Sequence, residues 1–241
     1  MKLKQWVRST LNFLHLDLSK NLEYDRLTLA VMRKVLRPDS NCIDVGCHKG
    51  EVLEAMLRLA PQGRHWGFEP IPGLHAQLLR QFGARAQILP FALADHDGKA
   101  QFQHVRNAPA YSGLKRRSYA VSEPDIETLE VDLRRLDDLL PPETAVHLVK
   151  IDVEDAELGV LRGARQTLAR HRPVVIFEFG LGASDFYGTT AQDLHELFNG
   201  LGMAVSTLKG FLNAQEGLGL RQFEEHFARN DEYYFVAHPR D

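Results

Sequence analysis

The chain has 241 residues, of which 44% are hydrophobic and 25% charged, and a formal net charge of -3. That is material for one large α/β domain with or without a short extension. The charge gives no electrostatic reason to expect nucleic acid or an anionic membrane as a partner. No stretch approaches the roughly 18 apolar residues needed to cross a bilayer.

The segment Met1–Lys20 mixes Lys2, Lys4 and Arg8 with Trp6, Leu11, Phe13, Leu14 and Leu16. It has neither a clean apolar run nor a small-residue cleavage site, so it does not read as a signal peptide. Two helical patterns, 3–16 and 22–36, fill this region. The second places Leu22, Leu27, Ala30, Val31 and Val35 on one face before Arg37-Pro38-Asp39 stops it. The sequence therefore predicts an N-terminal helical extension over 1–37, docked on the domain or forming a homodimer surface. A second domain-sized unit, 38–241, follows.

From residue 41 short apolar runs alternate with helical patterns. Strands are predicted at Asn41–Val45, Arg64–Phe68, Ala86–Phe91, His147–Ile151, Pro173–Phe179, Met203–Leu208 and Glu232–Ala237. Helices are predicted at Glu51–Ala60, Gly73–Phe82, Glu157–His171 and Thr190–Leu201. Strands separated by helices need crossover connections, which favour a mostly parallel seven-stranded sheet covered on both faces. Two regions break the rhythm. Residues 98–133 hold two further possible strands, Ala100–Val105 and Thr128–Leu133, around Lys115, Arg116 and Arg117. Residues 180–189 form a glycine-rich loop after a strand, a natural substrate wall.

The segment Cys42-Ile43-Asp44-Val45-Gly46-Cys47-His48-Lys49-Gly50 reads as a buried strand ending in an acid, then a turn with glycines four apart. A disulfide between Cys42 and Cys47 would distort the strand end, so both are read as reduced thiols of a cytoplasmic protein. Asp44 stands where a dinucleotide fingerprint has glycine, and the third glycine of that fingerprint is absent. A carboxylate there repels a pyrophosphate but accepts hydrogen bonds from an ammonium group. Gly46 lets backbone pass close to a ligand, and Gly50 allows tight packing at the helix start. Glu69 ends the next strand 25 residues after Asp44, with Pro70 behind it, placed to take both hydroxyls of a ribose. A flat adenine ring would then lie near Phe91-Ala92-Leu93. Together these point to S-adenosylmethionine. A third cluster, Lys150-Ile151-Asp152-Val153-Glu154-Asp155-Ala156-Glu157, gathers carboxylates where a strand gives way to a helix. They serve either a site or the helix N-terminus.

These runs, with Gly67-Phe68-Glu69-Pro70, Val160-Leu161-Arg162-Gly163-Ala164 and Asn230-Asp231-Glu232-Tyr233-Tyr234-Phe235, resemble the FkbM-type S-adenosylmethionine-dependent methyltransferases over about residues 26 to 238. The resemblance implies a Rossmann-like class I fold and transfer of a methyl group to oxygen, on a sugar or glycan hydroxyl or a polyketide-type product. It places Asp44, Gly46, Gly50, Glu69 and Asp152 on cofactor-contacting positions. Cys47, His48, Pro70 and Ala92 complete the expected cofactor shell. Asp155, Pro90 and Gly113 depart from the family pattern.

In-line displacement at the sulfonium methyl mainly needs alignment, plus a base for the hydroxyl proton. Glu154 is the favoured base, with His48, Glu157 and Glu178 as alternatives. His147 sits at the opposite strand end and reads as structural. No metal is expected, because no Asp-Asn or two-histidine ligand set has suitable spacing. Two other readings stay open: a non-catalytic cofactor-binding module on the same fold, and an NAD-dependent oxidoreductase.

Overall fold

The structure is a computed structural model that describes residues 20–107, 112–114, 125–153, 156–180 and 188–240. The expected helix at 3–16, the basic run Lys115–Arg117, Glu154, Asp155 and most of the 180–189 loop lie outside the described residues.

After a helix over 20–35 (α1), the chain builds β1 (Cys42–Val45), α2 (Glu51–Leu59), β2 (His65–Phe68), α3 (Pro72–Phe82) and β3 (Gln87–Leu89). Three strands follow: β4 (Phe91–Leu93), β5 (Gly98–Val105) and β6 (Ile126–Arg134). A 3-10 turn at Leu136–Asp138 leads to β7 (Leu148–Ile151), α4 (Glu157–Gly163), α5 (Arg165–His171) and β8 (Val174–Glu178). The chain ends with α6 (Ala191–Gly200), β9 (Met203–Thr207), α7 (Leu208–Leu212), α8 (Leu220–Arg229) and β10 (Tyr234–Pro239).

Seven strands form one sheet in the order β3-β2-β1-β7-β8-β10-β9. Every pair is parallel except those of β10, which runs against both β8 and β9. The order reverses at β1, and the crevice outside the strand ends at such a switch point is where ligands bind in open α/β sheets. The expected mostly parallel seven-stranded sheet is therefore present.

Strand side chains alternate between faces, and this splits the core in two. Ile43, Val45, Val149, Ile151, Val175 and Phe177 pack with α4, α5, α6 and α8. Cys42, Leu148, Ile176 and Val236 pack with α1, α2 and α7. The buried stripe of α1 is Tyr24, Leu27, Val31 and Met32; Leu22, expected on that face, is 68% exposed. Tyr24 carries the stripe instead, with its hydroxyl bonded to Glu232.

Two predicted elements are divided. The strand expected over Ala86–Phe91 breaks at Pro90, which has no N–H to give a ladder. The chain leaves the large sheet there, and Phe91–Leu93 pairs with β6 in a second sheet of order β4-β6-β5. The helix expected over Glu157–His171 breaks after Gly163. A side chain at that glycine would lie 1.9 Å from the Ala94 carbonyl, so α4 ends pressed on that backbone. Asp137 then caps α5 by accepting from the N–H groups of Gln166 and Thr167. Helices α7 and α8 were not among the predicted elements.

Candidate active site

The β1–α2 turn is tight because the protein itself crowds it. Gly46 has φ +80° and Gly50 φ +84°. A Cβ on Gly46 would sit 1.9 Å from the carbonyl oxygen of Asp152, and one on Gly50 would strike Leu78 and Phe82 of α3. The packing expected of Gly50 is thus observed. The close approach at Gly46 is to the end of β7. His48 shares the left-handed conformation, with φ 49°, which turns its N–H onto Glu69 Oε2 at 2.8 Å.

Two cavities open at this turn. One, of 140 Å³, is mainly apolar and is lined by Phe68, Glu69, Pro70, Ile71, Phe91, Ala92, Leu93 and Phe102 among others. The second, of 460 Å³, is polar and lies between the strand ends and α1, with Tyr24, Asp25, Asp44, Lys150, Glu178 and Tyr234 in its wall. Gly46, His48 and Asp152 line both.

Asp44 is 1% exposed, and its Oδ2 has no hydrogen-bond partner. Burial pushes its pKa up to about 6, against the pull of the Lys150 ammonium. Burial also pushes Glu69 up to about 7, although the N–H groups of Ile71 and His48 stabilise its charge. Each Glu69 oxygen accepts one of those N–H groups, at 3.0 and 2.8 Å. The carboxylate is thus fixed in orientation and retains lone pairs for a pair of hydroxyls. Desolvation and the neighbouring Lys49 lower the pKa of His48, and its Nε2 is enclosed without a partner.

The remaining expected residues divide. Cys47 turns its side chain into the core, where its sulfur fills the space that a side chain on Gly67 would need. Both cysteines are free and buried. Glu157 is buried and lines neither cavity; its Oε1 accepts from the Val153 N–H at 3.0 Å, closing the turn into α4. Glu154 lies outside the described residues.

Lys150 and Tyr234 stand within the sequence motifs without an expected role. Pairing Asp44 with Lys150 and Tyr234 with Glu178 brings all four onto one face of adjacent strands. Lys150 is 5% exposed and hydrogen-bonds Asp152. Tyr234 donates its hydroxyl to the same carboxylate at 2.7 Å. A lysine inside a four-residue buried strand was the available signal, since such a charge persists only when paired. Also missed was the contribution of α1 and of Phe102 to the cavity walls.

Among the described residues no group of three or more His, Cys, Asp or Glu side chains is arranged to hold a metal ion. No helix among them is long and apolar enough to cross a membrane.

The sheet order, the glycine turn and the carboxylates of Asp44 within β1 and Glu69 just after β2 define an S-adenosylmethionine-dependent methyltransferase fold of class I. Residues 44–204 match the family described as the methyltransferase FkbM domain, and the chain belongs to that family. It is 26% identical over 169 residues to the 2-O-methyltransferase NoeI of Sinorhizobium fredii, covering 64% of this chain and 68% of that one. It is 25% identical over 179 residues to the AMB antimetabolite synthetase AmbE of Pseudomonas aeruginosa, covering 59% of this chain and 8% of that one. The crystal structure of a methyltransferase FkbM from Methylobacillus flagellatus superposes with a TM-score of 0.50 at 17% identity, covering 84% of this chain. The chain spans 45% of that protein.

Proposed function

We propose that the protein transfers the methyl group of S-adenosylmethionine to a hydroxyl oxygen on a sugar, glycan or polyketide-type acceptor, leaving S-adenosylhomocysteine. The observation that carries this reading is the buried, unpartnered Asp44 Oδ2 on one side of the glycine turn, with the Glu69 carboxylate on the other. Those two anionic positions suit the ammonium and the ribose diol of one molecule. When bound, that molecule supplies a methyl group on a cationic sulfur that leaves as a neutral thioether.

The residues of the chain divide the work. Asp44 accepts from the ammonium, and Glu69 accepts from both ribose hydroxyls. The apolar cavity encloses the adenine between Phe91, Ala92, Leu93 and Phe102, with Pro70 at its rim. Gly46 and His48 join this cavity to the polar one, where the acceptor enters. Similarity to a 2-O-methyltransferase supports oxygen as the acceptor atom. The reading needs no metal, because Lys150 already places a positive charge among the carboxylates of the polar cavity.

Calorimetric titration with S-adenosylmethionine, S-adenosylhomocysteine and NAD tests the cofactor. Binding of the first two without NAD is expected, and tight NAD binding with no response to the others refutes the reading. Binding without methyl transfer to any hydroxylated acceptor leaves only a cofactor-binding module.

A further inference from the structure

Methylating a hydroxyl releases a proton, and whatever receives it must meet the cofactor side and the acceptor side together. The two cavities share three residues, Gly46, His48 and Asp152. Gly46 has no side chain. His48 has its imidazole Nε2 enclosed by protein, and the N–H it gives to Glu69 is that of its backbone. The Asp152 side chain is 26% exposed. Building on the methyltransferase reading above, we propose that Asp152 receives the acceptor's hydroxyl proton, and that Lys150 and Tyr234 are positioning residues that hold its carboxylate for the purpose.

The geometry suits this division. Lys150 and Tyr234 both donate to Oδ2 of Asp152. Two donors on one oxygen, from β7 and β10, fix the carboxylate plane. The Lys150 ammonium also lies 5.5 Å over the Tyr234 ring, so the two donors brace each other. Asp44 on β1, Glu178 on β8 and Asp25 on α1 surround the pair with negative charge, and His48 faces it from the turn. Burial alone would raise the Asp152 pKa. Lys150, then the Tyr234 hydroxyl, outweigh burial and hold it below the ordinary carboxylate range.

A carboxylate held ionised is a weak base, and here a weak base suffices. A lone pair on the acceptor oxygen forms the new C–O bond while the C–S pair returns to sulfur. The oxygen thereby becomes an oxonium, far more acidic than any carboxylic acid. Its proton passes to Asp152 and then to solvent. The site needs an ionised carboxylate in place, and Lys150 and Tyr234 supply the ionisation and the placement.

The test measures transfer of isotope-labelled methyl from S-adenosylmethionine to a panel of methyl glycosides, blocked oligosaccharides and hydroxylated polyketide-type compounds, with S-adenosylhomocysteine affinity measured separately by calorimetry. Asp152→Asn is expected to lower kcat by about 10²- to 10⁴-fold, with S-adenosylhomocysteine affinity within about threefold of the parent. Tyr234→Phe is expected to move the acid limb of the kcat–pH profile to higher pH while KM for the cofactor holds. Lys150→Met should act in the same direction, and Lys150→Arg, which keeps the charge if the methionine variant fails to fold, should restore part of the rate.

An Asp152→Asn variant that turns over at the parental rate refutes the proposal. So does one that loses cofactor affinity by tenfold or more, since Asp152 is then a cofactor ligand. A Tyr234→Phe rate loss with an unmoved pH profile refutes the positioning role. A parent protein that binds S-adenosylhomocysteine but methylates nothing on the panel refutes the hydroxyl-acceptor reading itself, and the role of Asp152 with it.

Discussion

Replacing Asp44 with asparagine should make the free protein more stable while removing its hold on the cofactor. Asp44 is 1% exposed, with one oxygen unpartnered, and burial raises its pKa from 3.8 to about 6. A raised carboxylate pKa means that folding favours the neutral acid. The destabilisation is therefore absent below the unfolded value, grows as pH rises from about 4 to 6, and is complete above it. A shift of about 2 units corresponds to about 3 kcal/mol at pH 7.5. Part of that is offset because Lys150 loses a counter-charge and the amide must find its own partners. A net gain of about 1–3 kcal/mol remains, which for a chain of this size raises Tm by about 2–4 °C per kcal/mol. Thermal melts of parent and Asp44→Asn between pH 4 and 8 read the effect directly. Saturating S-adenosylmethionine should raise the Tm of the parent and barely move the variant. A variant that melts lower than the parent at pH 7.5, or a difference independent of pH, would show that the Asp44 charge is not the strained element of the crevice.

Glu69, raised to about 7, should make S-adenosylhomocysteine affinity rise between pH 6 and 8 by up to about tenfold; a flat calorimetric profile, or unchanged affinity in Glu69→Ala, would remove the ribose assignment. Gly46→Ala must fit a Cβ 1.9 Å from the Asp152 carbonyl at φ +80°, so denaturant melts should show a loss above about 3 kcal/mol or no soluble protein. Asp137→Ala removes the cap on Gln166 and Thr167 and should cost about 1–2 kcal/mol in urea unfolding, with cofactor affinity unchanged because Asp137 lines neither site cavity.

The parallel sheet was legible because its strands are short, mostly apolar runs bounded by Gly, Pro and charge. Cys42–Val45 and Leu148–Ile151 are buried along their whole length. Period and punctuation break down where tertiary contact decides. Nothing local says that Pro90 marks a change of sheet, or that the Ala94 carbonyl ends α4 at Gly163. The α8 pattern hides because only Phe223 is fully buried among charged neighbours. At the site, strand-end carboxylates were readable from spacing, since each closes an apolar run. The Lys150 and Tyr234 pairing with Asp152 was not, because β10 lies far along the chain and its antiparallel register sets which tyrosine bonds to Asp152.

The glycine turn carries less information about the ligand than its spacing suggests. Gly46 is required by the Asp152 carbonyl, and Gly50 by Leu78 and Phe82. Both would be needed if nothing ever bound there. They are conditions for bringing β1, β7 and α3 close enough to form the crevice. The cofactor is written in the charges that the crevice tolerates. Its polar half gathers five carboxylates, Asp25, Asp44, Glu51, Asp152 and Glu178, against two ammonium groups, Lys49 and Lys150. A crevice that gathers acids so unevenly around the buried Asp44 holds strain that an incoming positive charge or hydroxyl donor relieves. A phosphate-bearing dinucleotide would add to that strain, whereas a molecule carrying an ammonium and a sulfonium relieves it. On the proposal that Asp152 receives the acceptor's proton, the same excess gives Lys150 its part: its ammonium offsets the surrounding carboxylates and favours the ionised form of Asp152.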